Sequence, residues 1–121
     1  MKKILLVDDS ETVLMFERMM LKELDAEFLT AKNGQEALEI AAKEKPDLII
    51  LDIMMPLLDG IETCRKMRAN PETKLTPIII VTTKGNPEKV EEAYVAGCND
   101  FVTKPVDKME LLEKARSLLG R

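Results

Sequence analysis

The chain alternates short apolar runs with segments whose apolar residues recur at helical spacing. The runs are predicted to form strands at 3–7, 27–31, 47–52, 77–82 and 99–103. The segment after the first run is predicted to be a helix to about Leu24, with a core face made of Val13, Phe16, Met20, Leu21 and Leu24. Strands that alternate with helices require right-handed crossovers, so the pattern predicts an α/β fold with a parallel sheet covered on both faces.

Local signals predict where two of the later helices begin. Asp59 and Glu62 have the spacing of a capping pair. Asn86 followed by Pro87 is typical of a helix start, because asparagine caps the first turn and proline fits its first position. In the helix that follows, Tyr94 is predicted to face the core.

Polar side chains stand where the predicted strands end. The first strand ends in Asp8 and Asp9, the third in Asp52 and the fourth in Thr82, and Lys104 follows the fifth. In open parallel sheets ligands bind outside the carboxyl ends of the strands. The sequence therefore predicts that these five residues share one site.

Three neighbouring carboxylates need a positive counter-charge. Two of them about 4 Å apart repel by roughly 4 kcal/mol at an effective dielectric near 20. Oxygen ligands favour a hard cation such as Mg²⁺, although Asp8 or Asp9 could instead cap the first helix beside Ser10. The same acidic loop repels phosphate, and the chain has no glycine-rich phosphate loop, which disfavours a nucleotide or a flavin electron carrier.

A carboxylate, a cation, a lysine and a hydroxyl together suit phosphoryl transfer. Asp52 can form an acyl phosphate, and Lys104 and Thr82 can meet its oxygens. Taken singly, Lys104 is also typical of a solvated surface lysine and Thr82 of an ordinary strand residue.

Composition excludes several functional classes. The net charge is −4 and no basic patch with interleaved aromatic residues occurs, which disfavours direct nucleic-acid binding. No apolar stretch approaches the roughly 20 residues that span a bilayer, so membrane insertion is not expected. The absence of histidine excludes histidine-based catalysis. Cys64 and Cys98 lack metal-site or redox-motif spacing and are expected to be structural thiols in a reduced cytoplasm.

Four fragments in this order resemble the receiver domain of two-component response regulators, over the whole chain. They are Leu6-Val7-Asp8-Asp9-Ser10, Leu51-Asp52-Ile53-Met54-Met55-Pro56 with Asp59-Gly60, Val81-Thr82-Thr83 and Phe101-Val102-Thr103-Lys104-Pro105. The resemblance implies one receiver domain over 1–121 with a doubly wound, flavodoxin-like (βα)5 fold and the strand order 2-1-3-4-5. It also implies a cis peptide bond between Lys104 and Pro105.

The resemblance also implies residue roles. Asp52 would accept a phosphoryl group from the phosphohistidine of a sensor histidine kinase or a histidine phosphotransfer protein. Mg²⁺ would be held by Asp9 and Asp52, by Asp8 through water, and by the backbone carbonyl of Met54. The switch would comprise Thr82 and Phe101, although Phe101 could equally be an ordinary core aromatic. The rate-tuning positions would be Met54 and Lys84.

The implied output is a face built from helix four, strand five and helix five, which would signal to a downstream protein target or effector domain. A phosphorylation-dependent dimer is among the implied partners. Two alternatives remain open: a receiver-like module that signals without phosphorylation, and a phosphohydrolase with Asp52 as nucleophile. The hydrolase is disfavoured because Met54 stands where such enzymes place a general acid. The sequence also leaves open whether the chain acts alone or is the input module of a longer regulator.

Overall fold

The computed structural model describes residues 1–83 and 86–120, which form five strands and five α-helices in alternation. The strands are β1 (Lys3–Val7), β2 (Glu27–Ala31), β3 (Leu48–Asp52), β4 (Ile78–Thr83) and β5 (Asp100–Lys104). The helices are α1 (Glu11–Met20), α2 (Gly34–Glu44), α3 (Gly60–Ala69), α4 (Pro87–Ala96) and α5 (Lys108–Leu118).

All strands pair in parallel, in the order β2-β1-β3-β4-β5, which confirms the predicted fold. Helices cover both faces, so alternate residues of the central strands enter two separate cores. One core packs β3 and β4 side chains such as Ile49 and Ile80 against α2, α3 and α4. The other packs Ile50 and Val81 against α1 and α5. Burial on both faces explains why β3 is apolar at every position before its final aspartate.

Side-chain caps fix the starts of several helices. The Asp59 carboxylate accepts a hydrogen bond from the Glu62 N–H at 2.8 Å, as the capping pair predicts. Asn86 stands at the N-cap of α4 with Pro87 in the first turn, although the Asn86 side chain forms no capping hydrogen bond. None of the described helices has the length and apolarity that crossing a bilayer requires.

Two predicted core positions were wrong. Phe16 is 51% exposed, because α1 is rotated so that Leu14, Glu17 and Leu21 face the sheet. Tyr94 is 44% exposed, because Ala93 and Ala96 form the buried face of α4. The first helix is also shorter than predicted. It ends at Met20, and a 3₁₀ turn at Lys22–Leu24 continues to the buried Leu24.

Candidate functional site

Two buried aspartates stand at the carboxyl edge of the sheet. Asp52 is the last residue of β3 and lies opposite Val81, and Asp8 directly follows β1. The Asp8 N–H donates to the Ala31 carbonyl at 3.1 Å, which continues the parallel ladder and fixes the backbone at the strand end. Asp8 is 1% exposed and Asp52 is 4% exposed. The apolar strands β1 and β3 thus place two carboxylates in one confined space.

Asp9 completes a cluster of three acids. One carboxylate oxygen from each of Asp8, Asp9 and Asp52 lies within 4.8 Å of the others, and Asp9 is exposed. The Oδ2 atom of Asp8 is buried and has no hydrogen-bond partner. A buried carboxylate oxygen without a partner is costly. Three oxygen ligands, one of them with unmet bonding capacity, fit a hard divalent cation.

The side-chain cap of α1 is Ser10, and neither Asp8 nor Asp9 is needed for it. Ser10 is the N-cap of α1, and its Oγ accepts a hydrogen bond from the Val13 N–H at 3.3 Å. Asp8 uses only Oδ1 locally, accepting from the Ser10 N–H at 2.9 Å. The second oxygen of Asp8 and the whole Asp9 carboxylate are therefore left for the site.

The positively charged Lys104 side chain lies beside the two buried aspartates. It ends β5 and is joined to Pro105 by a cis peptide bond, as the resemblance implied. Its Nζ lies 3.5 Å from Asp52 Oδ2 and 3.7 Å from Asp8 Oδ2. The ammonium thus bridges both aspartates, and its single charge offsets only part of theirs.

Burial and the neighbouring negative charge both raise the pKa of Asp52. Burial is the main cause that raises the pKa of Asp52 to about 6, and the Asp8 carboxylate adds to it. Lys104 and the Met54 N–H, which donates to Asp52 Oδ1 at 3.4 Å, act in the opposite direction. A metal-free protein near neutral pH therefore holds Asp52 mostly as the carboxylate, which is the nucleophilic form.

The remaining predicted site residues differ in burial and in distance along the sheet from this cluster. Thr82 is 2% exposed and faces Thr103 across the β4–β5 ladder, and its Oγ1 donates weakly to the Thr83 carbonyl at 3.5 Å. Met54 is 66% exposed. Phe101 is half-buried on β5, which β4 separates from the strand that carries Asp52. Lys84 lies outside the described residues.

The sequence reasoning missed Glu17. This glutamate is 2% exposed in α1, and its Oε1 has no hydrogen-bond partner. It lines a groove of about 260 Å³ together with Lys104, Pro105 and Val106. Burial, followed by repulsion from Asp8 and Asp52, raises its pKa to about 8. The available signal was its register: Glu17 lies three residues after Leu14 and four before Leu21, on the face that packs inward.

Known proteins share this fold and much of this sequence. The chain matches the response regulator receiver domain family over residues 4–116. It is 38% identical over 120 residues to the protein PilH of Pseudomonas aeruginosa, covering 99% of both chains. Several other curated relatives are longer, and the chain spans 26% to 49% of their length.

Solved structures of response regulators and receiver domains also resemble this chain. The chemotaxis response regulator CheY4 of Vibrio cholerae superposes with a TM-score of 0.89 at 35% identity, with 98% of each chain covered. The receiver domain of the sensor histidine kinase PA1611 of Pseudomonas aeruginosa has a TM-score of 0.90 at 29% identity, covering 99% of this chain and 98% of that one. That structure holds a magnesium ion in its active-site cleft. The chain belongs to the receiver domains of two-component response regulators, which act in phosphorelay signalling.

Proposed function

We propose that this chain is a Mg²⁺-dependent switch that takes a phosphoryl group on Asp52. The observation that carries the proposal is the position of Asp52, whose Oδ2 lies 3.5 Å from the Lys104 ammonium inside the cluster with Asp8 and Asp9. A histidine kinase or a histidine phosphotransfer protein is the proposed donor. The Asp52 oxygen forms the new bond to phosphorus as the phosphorus–nitrogen bond of the phosphohistidine breaks, and the imidazole leaves with that electron pair.

The chain's own residues position and neutralise the transferred group. Lys104 moves from its bridge between the aspartates to an oxygen of the phosphoryl group, and the Thr82 hydroxyl donates to another. Asp9, Asp52 and the Met54 carbonyl, with Asp8 acting through water, would hold Mg²⁺, which would supply the positive charge that the phosphoryl oxygens need. The fit of three clustered carboxylates, one with an unpartnered buried oxygen, supports this ligand set.

Turnover of external phosphate esters has no support at this site. The residue two positions after Asp52 is Met54, whose exposed side chain cannot act as a general acid. We propose that the chain catalyses only its own phosphorylation and dephosphorylation, with Met54 and Lys84 tuning these rates. Phe101 would relay the change to the α4-β5-α5 face, where a downstream protein, an effector domain or a second copy would bind.

Intact mass after incubation with Mg²⁺ and acetyl phosphate tests the phosphoacceptor. We expect one added phosphoryl group that is labile to hydroxylamine, as an acyl phosphate is, and that Asp52→Asn abolishes. Because the chain contains no histidine, the label cannot be a phosphohistidine. Asp25→Asn is the matched control: Asp25 is an exposed aspartate at φ 52°, a conformation that asparagine also tolerates.

Two results would contradict the proposal. The first is equal labelling of wild type and Asp52→Asn. The second is a wild type that binds Mg²⁺ but gains no mass with any phosphodonor, which favours signalling without phosphorylation. Mg²⁺ binding is measured separately as a rise in melting temperature, which we expect Asp9→Asn to reduce and Asp25→Asn to preserve.

A further inference from the structure

Phe101 is held between two side chains from neighbouring helices. The Tyr94 ring of α4 meets the Phe101 ring edge to face, with centroids 6.1 Å apart and an angle of 89° between the planes. The Lys114 Nζ of α5 lies 5.1 Å from the centroid of the Phe101 ring. Both geometries are attractive, because an aromatic face carries negative charge density and a ring edge or an ammonium carries positive charge.

Lys114 is itself fixed by three oxygen atoms. Its Nζ donates to the Phe101 carbonyl at 2.6 Å and pairs with Asp100 Oδ1 at 3.3 Å and Glu110 Oε2 at 3.1 Å. Partial burial works against the charged form, yet hydrogen bonds to Glu110 and Asp100 raise the pKa of Lys114 above its ordinary value. The ammonium therefore stays charged at neutral pH, and its oxygen partners keep it over the ring.

Phe101 also borders a groove. A groove of about 270 Å³ adjoins the ring, lined among the described residues by Thr83, Asn86, Pro87, Val90, Phe101 and Thr103. Thr83 and Thr103 lie at the carboxyl ends of β4 and β5, at the sheet edge that carries Asp52, and Asn86, Pro87 and Val90 form the start of α4. Because no described residue of α5 lines the groove, a ring that turned into it would move away from the Lys114 ammonium.

We propose that Lys114 is a positioning residue that latches Phe101 in its resting orientation, so that the switch is held off until the phosphoacceptor site is charged. The latch rests on the proposed role of Phe101 in the switch and adds the element that opposes it. Turning the ring inward breaks the contact with Lys114, whose charge remains tied to Asp100 and Glu110. Removal of the ammonium should raise the ratio of inward to outward Phe101 about three- to tenfold, the effect of one partly exposed cation–π contact.

The latch can be measured by ¹⁹F NMR on protein labelled with fluorophenylalanine. The chain has three phenylalanines, so Phe101→Leu assigns the Phe101 signal by its loss. Lys114→Met removes the charge and keeps most of the side-chain length, and Lys114→Arg keeps a cation that can lie over the ring. Lys108→Met is the matched control, because Lys108 is another α5 lysine whose ion pair is with Glu23.

We expect the Phe101 signal of metal-free Lys114→Met to shift toward the position that Mg²⁺ and beryllofluoride produce in wild type. Lys114→Arg should restore the wild-type signal, and Lys108→Met should leave it unchanged. A Phe101 signal that is the same in Lys114→Met and wild type would overturn the latch. So would an equal shift in Lys108→Met, since that would reflect a general effect of charge on α5.

Separate measurements can refute the latch and the proposed function. Absence of labelling on Asp52 with any phosphodonor, in a protein that binds Mg²⁺, refutes the proposed function. The latch is still tested directly by the Lys114 ε-methylene protons, which should resonate upfield because they adjoin the Nζ that lies over the Phe101 ring. If Phe101→Leu does not remove that upfield shift, the ammonium does not lie over the ring in solution and the latch is wrong, whether or not Asp52 is phosphorylated.

Discussion

Glu17 should make the stability of the metal-free protein fall steeply between pH 5 and pH 8. Its carboxyl is buried, lacks a hydrogen-bond partner at Oε1 and has a pKa raised from 4.5 to about 8. Between these two values the folded protein holds a proton that the unfolded chain has lost. Stability therefore decreases as pH rises, and the loss is complete above the folded pKa.

The size of the loss follows from the pKa. Each pH unit between 4.5 and about 8 is worth about 1.4 kcal/mol. The penalty is therefore about 3 kcal/mol at pH 7 and about 4 to 5 kcal/mol above pH 8. A domain of this size has a total free energy of unfolding of about 5–15 kcal/mol. The loss caused by ionisation of Glu17 is therefore a large fraction of the total stability.

Glu17→Gln isolates this term, because glutamine has similar shape and does not titrate. The free energy of unfolding is measured in urea by far-UV circular dichroism at pH 5, 6, 7 and 8. EDTA is included because a bound cation would offset the repulsion between the acids. We expect the variant to gain about 3 to 4 kcal/mol relative to wild type across this range. Titration of Asp52 is common to both proteins and largely cancels in the difference.

Glu113→Gln is the matched control, since Glu113 is an exposed glutamate of α5. Its stability relative to wild type should stay nearly constant with pH. The reasoning is refuted if the difference between Glu17→Gln and wild type changes by less than about 0.5 kcal/mol from pH 5 to pH 8. Such a result would mean that the Glu17 carboxyl reaches solvent or a partner.

Three further changes test the site and its scaffold. Lys104→Met should raise the pKa of Asp52 above about 6, because it removes a nearby positive charge; carboxyl ¹³C NMR titration in EDTA measures this, and an unchanged or lower pKa contradicts it. Gly60→Ala should destabilise the protein by about 1–3 kcal/mol in urea unfolding, since the added Cβ would stand 2.3 Å from the Asp52 carbonyl oxygen. Asn33→Ala should cost about 1 kcal/mol by the same assay, because it removes the cap that accepts the Glu36 N–H at 2.8 Å, whereas Asn33→Asp should retain most of it.

The central strands could be predicted because both of their faces are buried. Residues 47–52 were predicted as a strand and Leu48–Asp52 form β3. A fully apolar run that ends in an acid leaves little freedom in placing the strand or its carboxyl end. Parallel pairing then brings every such end to one edge. For this reason the clustering of Asp8, Asp9 and Asp52 followed from topology, before any side-chain geometry was known.

The orientation of α1 could not be predicted in the same way. Apolar residues occupy several faces of this helix, including the exposed Met15, Phe16 and Met19. Spacing then permits more than one core face, and a periodicity argument favours the one with most apolar members. Packing against β1 and α5 selects the face with Leu14 and Leu21 and brings Glu17 inward with them. Since a glutamate is counted as polar in any such pattern, its burial follows only from tertiary contacts.

Glu17 strengthens the electrostatic argument on which the site was first predicted. The strand ends predicted three acids in need of a cation, and the fold adds a fourth carboxyl beside them. Lys104 contributes one positive charge, and the raised pKa values of Asp52 and Glu17 both reflect burial together with the negative charge that remains. A divalent cation would relieve both acids at once and bind the folded state alone, so metal binding, proton release and stability must be coupled here. The acidic edge is therefore costly to the resting fold for the same reason that it is suited to bind Mg²⁺.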